Sequence, residues 1–463
     1  MNYRAVPNPP GLVALFLIVL FSLVETALAE WKIPPGLQER ASALNDQQLE
    51  FITSGAVFEY MPERQFEHEL ATRDAAGLQS MVDDVMSLAR QMGYDPKRDM
   101  GASPLNLKSQ YFNRGTLPTP VPLRDLKREP GPFSVHRYLF PTSGVPTFGG
   151  ARVAVWPEDL TTGKVDVAII GVPSNNSSGR RDAGMAPNEM RALNTLTTPD
   201  VKSLLKPFDV LSIVDYGNFT IDNMSIERTV DHVTAMVAET SATGAIPMLV
   251  GGDTSVLYPG VKGVAQQRGN STFGLLHFSA HPDADRSGDH TISDTQAIFR
   301  LLEEGIVKGS ETVEVGLRGP AVDVETLRWL RGKEVRYHTM AEIERRGFGR
   351  VAKRVFREIE KGPGAFFVSV DVSVIDPSEL VAAGRLEPRG LRVAEVAQAI
   401  RQVCAEKTVV GFAVTDLAPM LDLSRLSVAN ANALLNACLA GMAVRKAGFD
   451  PDYVNPLALD HGQ

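Results

Sequence analysis

The residues best placed to do chemistry lie in one stretch, GLLHFSAHPDAD (Gly274–Asp285). There an apolar run ends in His277, His281, Asp283 and Asp285. Imidazole and carboxylate groups packed this closely can hold a hard or borderline divalent cation. On an extended chain side chains repeat every two residues, so Ser279, His281 and Asp283 face the same way. The carboxyl end of a buried parallel strand is also where α/β proteins bind ligands. The plainer reading is a strand end whose polar residues only cap the sheet.

Two further stretches have the same form. IPMLVGGDTS (Ile246–Ser255) is an apolar strand that breaks at a Gly-Gly turn with a carboxylate beyond it. AFFVSVDVSVIDPS (Ala365–Ser378) is another, with Asp371 and Asp376 at its exit. Each is weak alone, but three in this order and tens of residues apart are specific. Together they resemble the motifs of the ureohydrolase family, the arginases and agmatinases: GGDHS, HFDAHxD and SxDxDxxDP. The resemblance implies two manganese ions held by six ligands. It also implies a metal-bridging hydroxide that attacks a guanidinium carbon and releases urea.

The departures carry as much information as the match. The resemblance places three metal ligands at His281, Asp283 and Asp371. The other three ligand positions hold Thr254, Ser279 and Ser373. Neutral hydroxyls are poor ligands beside carboxylate or imidazole, and Ser279 stands where the family bridges both metals. Two adjacent dications need several carboxylates, and this site has lost two. A dinuclear site is therefore not expected, and restoring the three ligands should restore manganese binding. The family's proton-shuttling histidine aligns with Asp294, with His290 four residues earlier. The glutamate that faces the substrate guanidinium aligns with Asp416. The glycine- and threonine-rich loop after the third motif is rewritten as VAAGRLEPRGL (Val381–Leu391).

The rest of the chain must position these groups. Residues 1–29 hold one basic residue, Arg4, an apolar run from Gly11 to Val24, and Ala27-Leu28-Ala29 before Glu30. A short apolar core before an A-x-A site reads as a secretory signal peptide, since a spanning helix needs about 20 apolar residues. An uncleaved membrane anchor is the alternative. The chain is thus expected to be exported. Its net charge of −8 argues against nucleic acid as a partner. Cys404 and Cys438 sit in apolar helical patterns and read as two buried thiols rather than a disulfide.

Residues 30–139 form an extension, with helical spacing over Leu37–Ile52 and Leu70–Met92 and a Pro-, Gly- and Arg-rich stretch from Pro96 to Pro141. Residues 140–450 alternate strands and helices, and 451–463 is a tail. VDVAIIGVPSNNSSGRRDAGMAPNEMRAL (Val165–Leu193) matches the family's first strand and loop at Gly171, Pro173, Gly184, Pro187 and Arg191. Alternation predicts a mostly parallel sheet covered on both faces, and the resemblance specifies a three-layer α/β/α fold. Two functions follow. One is an exported pseudoenzyme that binds a small guanidino-type ligand, self-associates, or pairs with an active relative. The other is a hydrolase with a rebuilt site, one metal held by His281, Asp283 and Asp371 with help from Asp285.

Overall fold

The computed structural model describes residues 31–92, 129–134, 145–175, 182–193, 195–286 and 292–460. Residues 1–29, where a signal peptide is expected, together with His290 and nearly all of Pro96–Pro141, lie outside the described residues. The described chain forms two compact units, residues 31–92 and residues 129–460.

In the first unit four helices, Gln38–Ala41, Asp46–Thr53, Glu63–Thr72 and Ala75–Met92, enclose a core that includes Ile52, Phe66, Leu70, Val82 and Val85. Trp31 packs edge-on against Phe58 and Phe66 at 5.2 and 5.7 Å. The two helical stretches expected here are each interrupted. Asn45 and Gln48 exchange side-chain bonds in a capping box that starts a new helix at Asp46. Asp74 accepts from Gly77 N at 2.8 Å and restarts the second. Polar N-caps restart the helices while the apolar spacing runs on through the breaks.

The second unit is built on nine parallel strands: β1 (Arg152–Val153), β2 (Val167–Gly171), β3 (Ile213–Asn218), β4 (Ile246–Val250), β5 (Gly274–Phe278), β6 (Thr312–Leu317), β7 (Arg336–Thr339), β8 (Ala365–Asp371) and β9 (Thr408–Thr415). Their order is β1-β3-β2-β4-β9-β8-β5-β6-β7. The two outermost strands, β1 and β7, escape the sequence pattern because they are short edge strands without an apolar run. In the centre the strands are buried on both sides, and their residues divide by alternation. Ile169, Met248, Phe278 and Val370 pack with the helices Val393–Glu406 and Leu426–Lys446. Ala168, Leu249, Leu275 and Phe367 pack with Ile226–Ala242, Leu257–Arg268 and Ala297–Glu303. The result is the three-layer α/β/α arrangement. Leu426–Lys446 is long and apolar enough to cross a membrane, but 78% of its most apolar stretch is buried in this core.

The expectation of two free thiols is corrected. Cys404 and Cys438 form a disulfide, with their Cα atoms 5.3 Å apart. It joins Val393–Glu406 to Leu426–Lys446, and both sulfurs are fully buried. The helices meet closely because Gly441 has no side chain. A Cβ there would lie 2.8 Å from Ala405 N and would also strike Arg401 O. Helical spacing indicates that both cysteines are buried, but not that they face each other.

Candidate functional site

Four neighbouring strands, β4-β9-β8-β5, bring their carboxyl ends together. After β4 the chain turns through Gly251 and Gly252, at φ 86° and 76°. A Cβ on Gly252 would lie 2.8 Å from Val172 O, so only glycine makes this turn and delivers Thr254 to the site. After β5, Ser279 Oγ accepts from His281 N at 3.0 Å, and Asp283 adopts a left-handed conformation at φ 43°. After β8, Asp371 Oδ1 accepts from Ser373 N at 2.8 Å. After β9, Asp416 is also left-handed, at φ 66°. Non-glycine residues in this region collect at functional sites, and Asp tolerates it better than most.

The centre of the site is filled by Arg385, from the rewritten loop. Its Nη1 donates to Asp283 Oδ1 at 2.8 Å, and its Nη2 donates to Asp371 Oδ2 at 3.0 Å and Thr254 Oγ1 at 3.2 Å. Its Nε forms an ion pair with Asp294 Oδ2 at 3.6 Å. Thr254 in turn donates to Asp371 Oδ2 at 2.6 Å. Arg385 is only 7% exposed, and Asp283 and Asp371 are 2% and 0% exposed, so these are desolvated ion pairs.

The loop that carries Arg385 is pinned on both sides. Gly384 N and Arg385 N donate to Asp416 O and Asp416 Oδ2, each at 2.8 Å. A side chain at position 384 would collide with the Asp416 carboxylate, so glycine is required there. Arg318 donates to the carbonyls of Glu387 and Pro388, both at 2.8 Å, and to Ser373 O at 2.7 Å.

Electrostatics follow the geometry. Burial pushes the Asp283 carboxyl up, but the Arg385 charge beside it prevails and holds it below the ordinary range. Asp416 goes the other way. Burial, then the Asp371 charge, raise it well above the ordinary carboxylate range. His281 is pushed down by burial and by Arg385, and is neutral. Its Nδ1 lies 3.3 Å from Ser373 Oγ and its Nε2 3.4 Å from Glu387 Oε1. Beneath the site, Ser369, His277 and Glu314 sit at one register across β8, β5 and β6. Burial and then the Asp283 charge raise the Glu314 carboxyl well above its ordinary range.

The structure therefore brings Thr254, Asp283, Asp294 and Asp371 around one guanidinium, with Asp416 bonded to the backbone N of the same arginine and Ser279, His281 and Ser373 beside it. Asp285 is not in the group. It is exposed, and its carboxylate accepts from Thr295 Oγ1 at 3.2 Å. Asp416 caps a loop, and Asp294 faces the Arg385 side chain. Among the described residues no group of three or more His, Cys, Asp or Glu is arranged to hold a metal ion. Sequence reasoning missed Arg385 itself, along with Arg318 and Glu387. The one signal was the rewriting of Val381–Leu391, which replaces small residues with an arginine 14 residues past Asp371. Arg191, matched to the first-strand motif, has a structural role. It forms a buried bond to Asp215 at 2.7 Å and a part-buried one to Asn218 at 2.6 Å.

The loop that follows β9 has its own polar lock. Asp422 accepts from Ser424 N and Oγ at 3.0 and 2.6 Å, and from Ser427 N and Oγ at 2.8 and 2.7 Å. Burial opposes ionisation, but these bonds together prevail and lower its pKa from 3.8 to about 2. A depressed carboxylate stabilises the fold above its unfolded pKa and loses that contribution as pH falls through the folded one. The contribution of Asp422 should therefore fade between pH 3.8 and about 2. Melting curves across that window should fall less steeply for Asp422→Asn than for the parent. Equal slopes would mean that the carboxylate is not locked in solution.

Comparison with known proteins places this geometry. A model of the Arginase family matches residues 165–441. The chain is 27% identical over 279 residues to a formimidoylglutamase of Bacillus subtilis, covering 59% of this chain and 86% of that protein. It is 27% identical over 301 residues to a guanidinopropionase of Pseudomonas aeruginosa, covering 64% and 90%. Among solved structures, a hypothetical agmatinase from Burkholderia thailandensis aligns with a TM-score of 0.60 at 22% identity, covering 70% and 99%. The proclavaminate amidino hydrolase of Streptomyces clavuligerus aligns at 0.59 and 23%, covering 65% and 98%. A Trypanosoma cruzi formiminoglutamase with two Mn2+ aligns at 0.55 and 21%, covering 61% and 95%. These structural likenesses speak to the fold.

Proposed function

The chain belongs to the arginase family, and from that premise we propose that it is a member without ureohydrolase chemistry: a pseudoenzyme whose metal centre has been exchanged for an arginine. One observation carries the reading, the paired bonds from Arg385 to Asp283 and Asp371. A manganese pair does not fit these residues. Thr254, Ser279 and Ser373 are hydroxyls, and the two carboxylates at kept ligand positions are already engaged by a guanidinium that stays charged at any physiological pH. The charges also agree. A pair of dications suits a ring of carboxylates, whereas the single charge of Arg385 suits the two that remain.

The rebuilt-hydrolase reading needs His281, Asp283 and Asp371 free to share one metal, and Arg385 holds two of them. The remaining role is that of a binding or partner subunit, by self-association or alongside an active relative. Export is part of the proposal. The Cys404–Cys438 disulfide suits an oxidising compartment, and the mature chain should then begin at Glu30.

The test is a thermal melt of the wild-type chain with and without manganese, beside urea assays on agmatine, arginine and 3-guanidinopropionate. The expected result is no manganese-dependent shift and no urea. Two manganese ions per chain with urea release would overturn the reading. N-terminal sequencing of protein from an exporting host checks the second part. An intact Met1 on membrane-bound material would favour an anchor instead.

A further inference from the structure

We propose that the strand-end cage is a guanidinium receptor loaded in cis by Arg385, so that a chain with this side chain cut back takes up a free alkylguanidinium ion in its place. The proposal rests on the reading that Arg385, rather than metal, fills the site. It concerns the place between Asp283 and Asp371, not the position of Asp416, where the family resemblance puts the substrate guanidinium.

Each of the three guanidinium nitrogens faces a different carboxylate. Nη1 meets Asp283 at 2.8 Å, Nη2 meets Asp371 at 3.0 Å, and Nε faces Asp294 at 3.6 Å. Thr254 Oγ1 accepts from Nη2 at 3.2 Å while donating to Asp371, which fixes both the hydroxyl and the carboxylate. A planar fork spans such a set; an ammonium ion is compact and cannot reach the separate carboxylates together.

The cage does not depend on the arginine side chain for its shape. The backbone of the loop is held at Gly384 and Arg385 by Asp416, and beyond them by Arg318. On the other side Asp371 ends β8 and Asp283 lies in the loop just past β5, both in the centre of the sheet. Truncation therefore leaves a cavity of guanidinium form lined with uncompensated negative charge, which favours a cation of the same shape.

The full-length chain carrying Arg385→Ala lacks the equivalent of N-ethylguanidinium, and this ion is the probe. At a concentration a hundredfold over its Kd it should raise the melting temperature of the variant by about 5 °C, saturably. n-Propylammonium and N-ethylurea should not, and wild type should stay flat because its site is filled. No rise in the variant, an equal rise with n-propylammonium, or a parallel rise in wild type would each overturn the proposal. Should Arg385→Ala fail to fold, Arg385→Lys is decisive. It keeps the charge but loses the fork, and it should melt well below wild type; a melt equal to wild type overturns the proposal. These outcomes are separable from the proposed function. Urea release by wild type with manganese defeats that reading whatever the rescue shows, and a failed rescue in a manganese-blind wild type defeats only the receptor.

Discussion

Tight manganese binding should return only to a chain with four changes: Thr254→His, Ser279→Asp, Ser373→Asp and Arg385→Ala. Restoring the three ligands alone would follow from sequence reasoning, but the structure adds a fourth requirement. With Arg385 in place, new carboxylates at 279 and 373 would strengthen its hold rather than recruit a cation, since Asp283 and Asp371 already bond it at 2.8 and 3.0 Å. Arg385→Ala alone should destabilise the chain by about 3–5 kcal/mol, because it strands buried carboxylates without a partner. In the quadruple variant the metals should reverse much of that loss. Binding to the folded state alone adds about 2.7 kcal/mol at a hundredfold excess over Kd. Melts of wild type, triple and quadruple variants with and without manganese give the answer. A triple variant that takes up manganese as tightly as the quadruple would show that Arg385 is no barrier. A quadruple variant blind to manganese would remove ligand loss as the explanation. Urea turnover should stay low in both, because Asp416 still accepts from Arg385 N, or from Ala N in its place.

The second large effect is expected at the disulfide. Cys404 and Cys438 are 34 residues apart, and closing a loop of that length in the unfolded chain stabilises the fold by about 4 kcal/mol in the chain-entropy model. Reduction, or the double change Cys404→Ala and Cys438→Ala, should lower the urea midpoint accordingly. Peptide mapping without reductant should recover the two cysteine peptides joined. Coincident midpoints for oxidised and reduced protein would mean the bond is absent or without effect.

Much of the site was legible from local pattern. Apolar runs that stop at polar clusters marked β4, β5 and β8, and the Gly-Gly turn explains why Thr254 lies at the site. Asp283, Asp371 and Asp416 could be placed one motif at a time, because strand ends recur with fixed spacing. The occupant of the site could not. Arg385 reaches Asp283, 102 residues away, and Thr254, 131 residues away. Those partners become neighbours only through the sheet order β4-β9-β8-β5. A charged residue in a loop reads as solvated until the fold surrounds it with carboxylates.

The same division runs through the rest of the molecule. By itself the sequence determined which strands and helices form the core, since apolar runs and helical spacing mark them. It also determined which metal-ligand positions are hydroxyls, since side-chain identity needs no fold. Only the tertiary structure decided that two buried cysteines meet, that Asp416 caps a loop, and that a guanidinium stands among the strand-end carboxylates. Each of these is a pairing between distant segments, and periodicity within one segment carries no information about which other segment it will face.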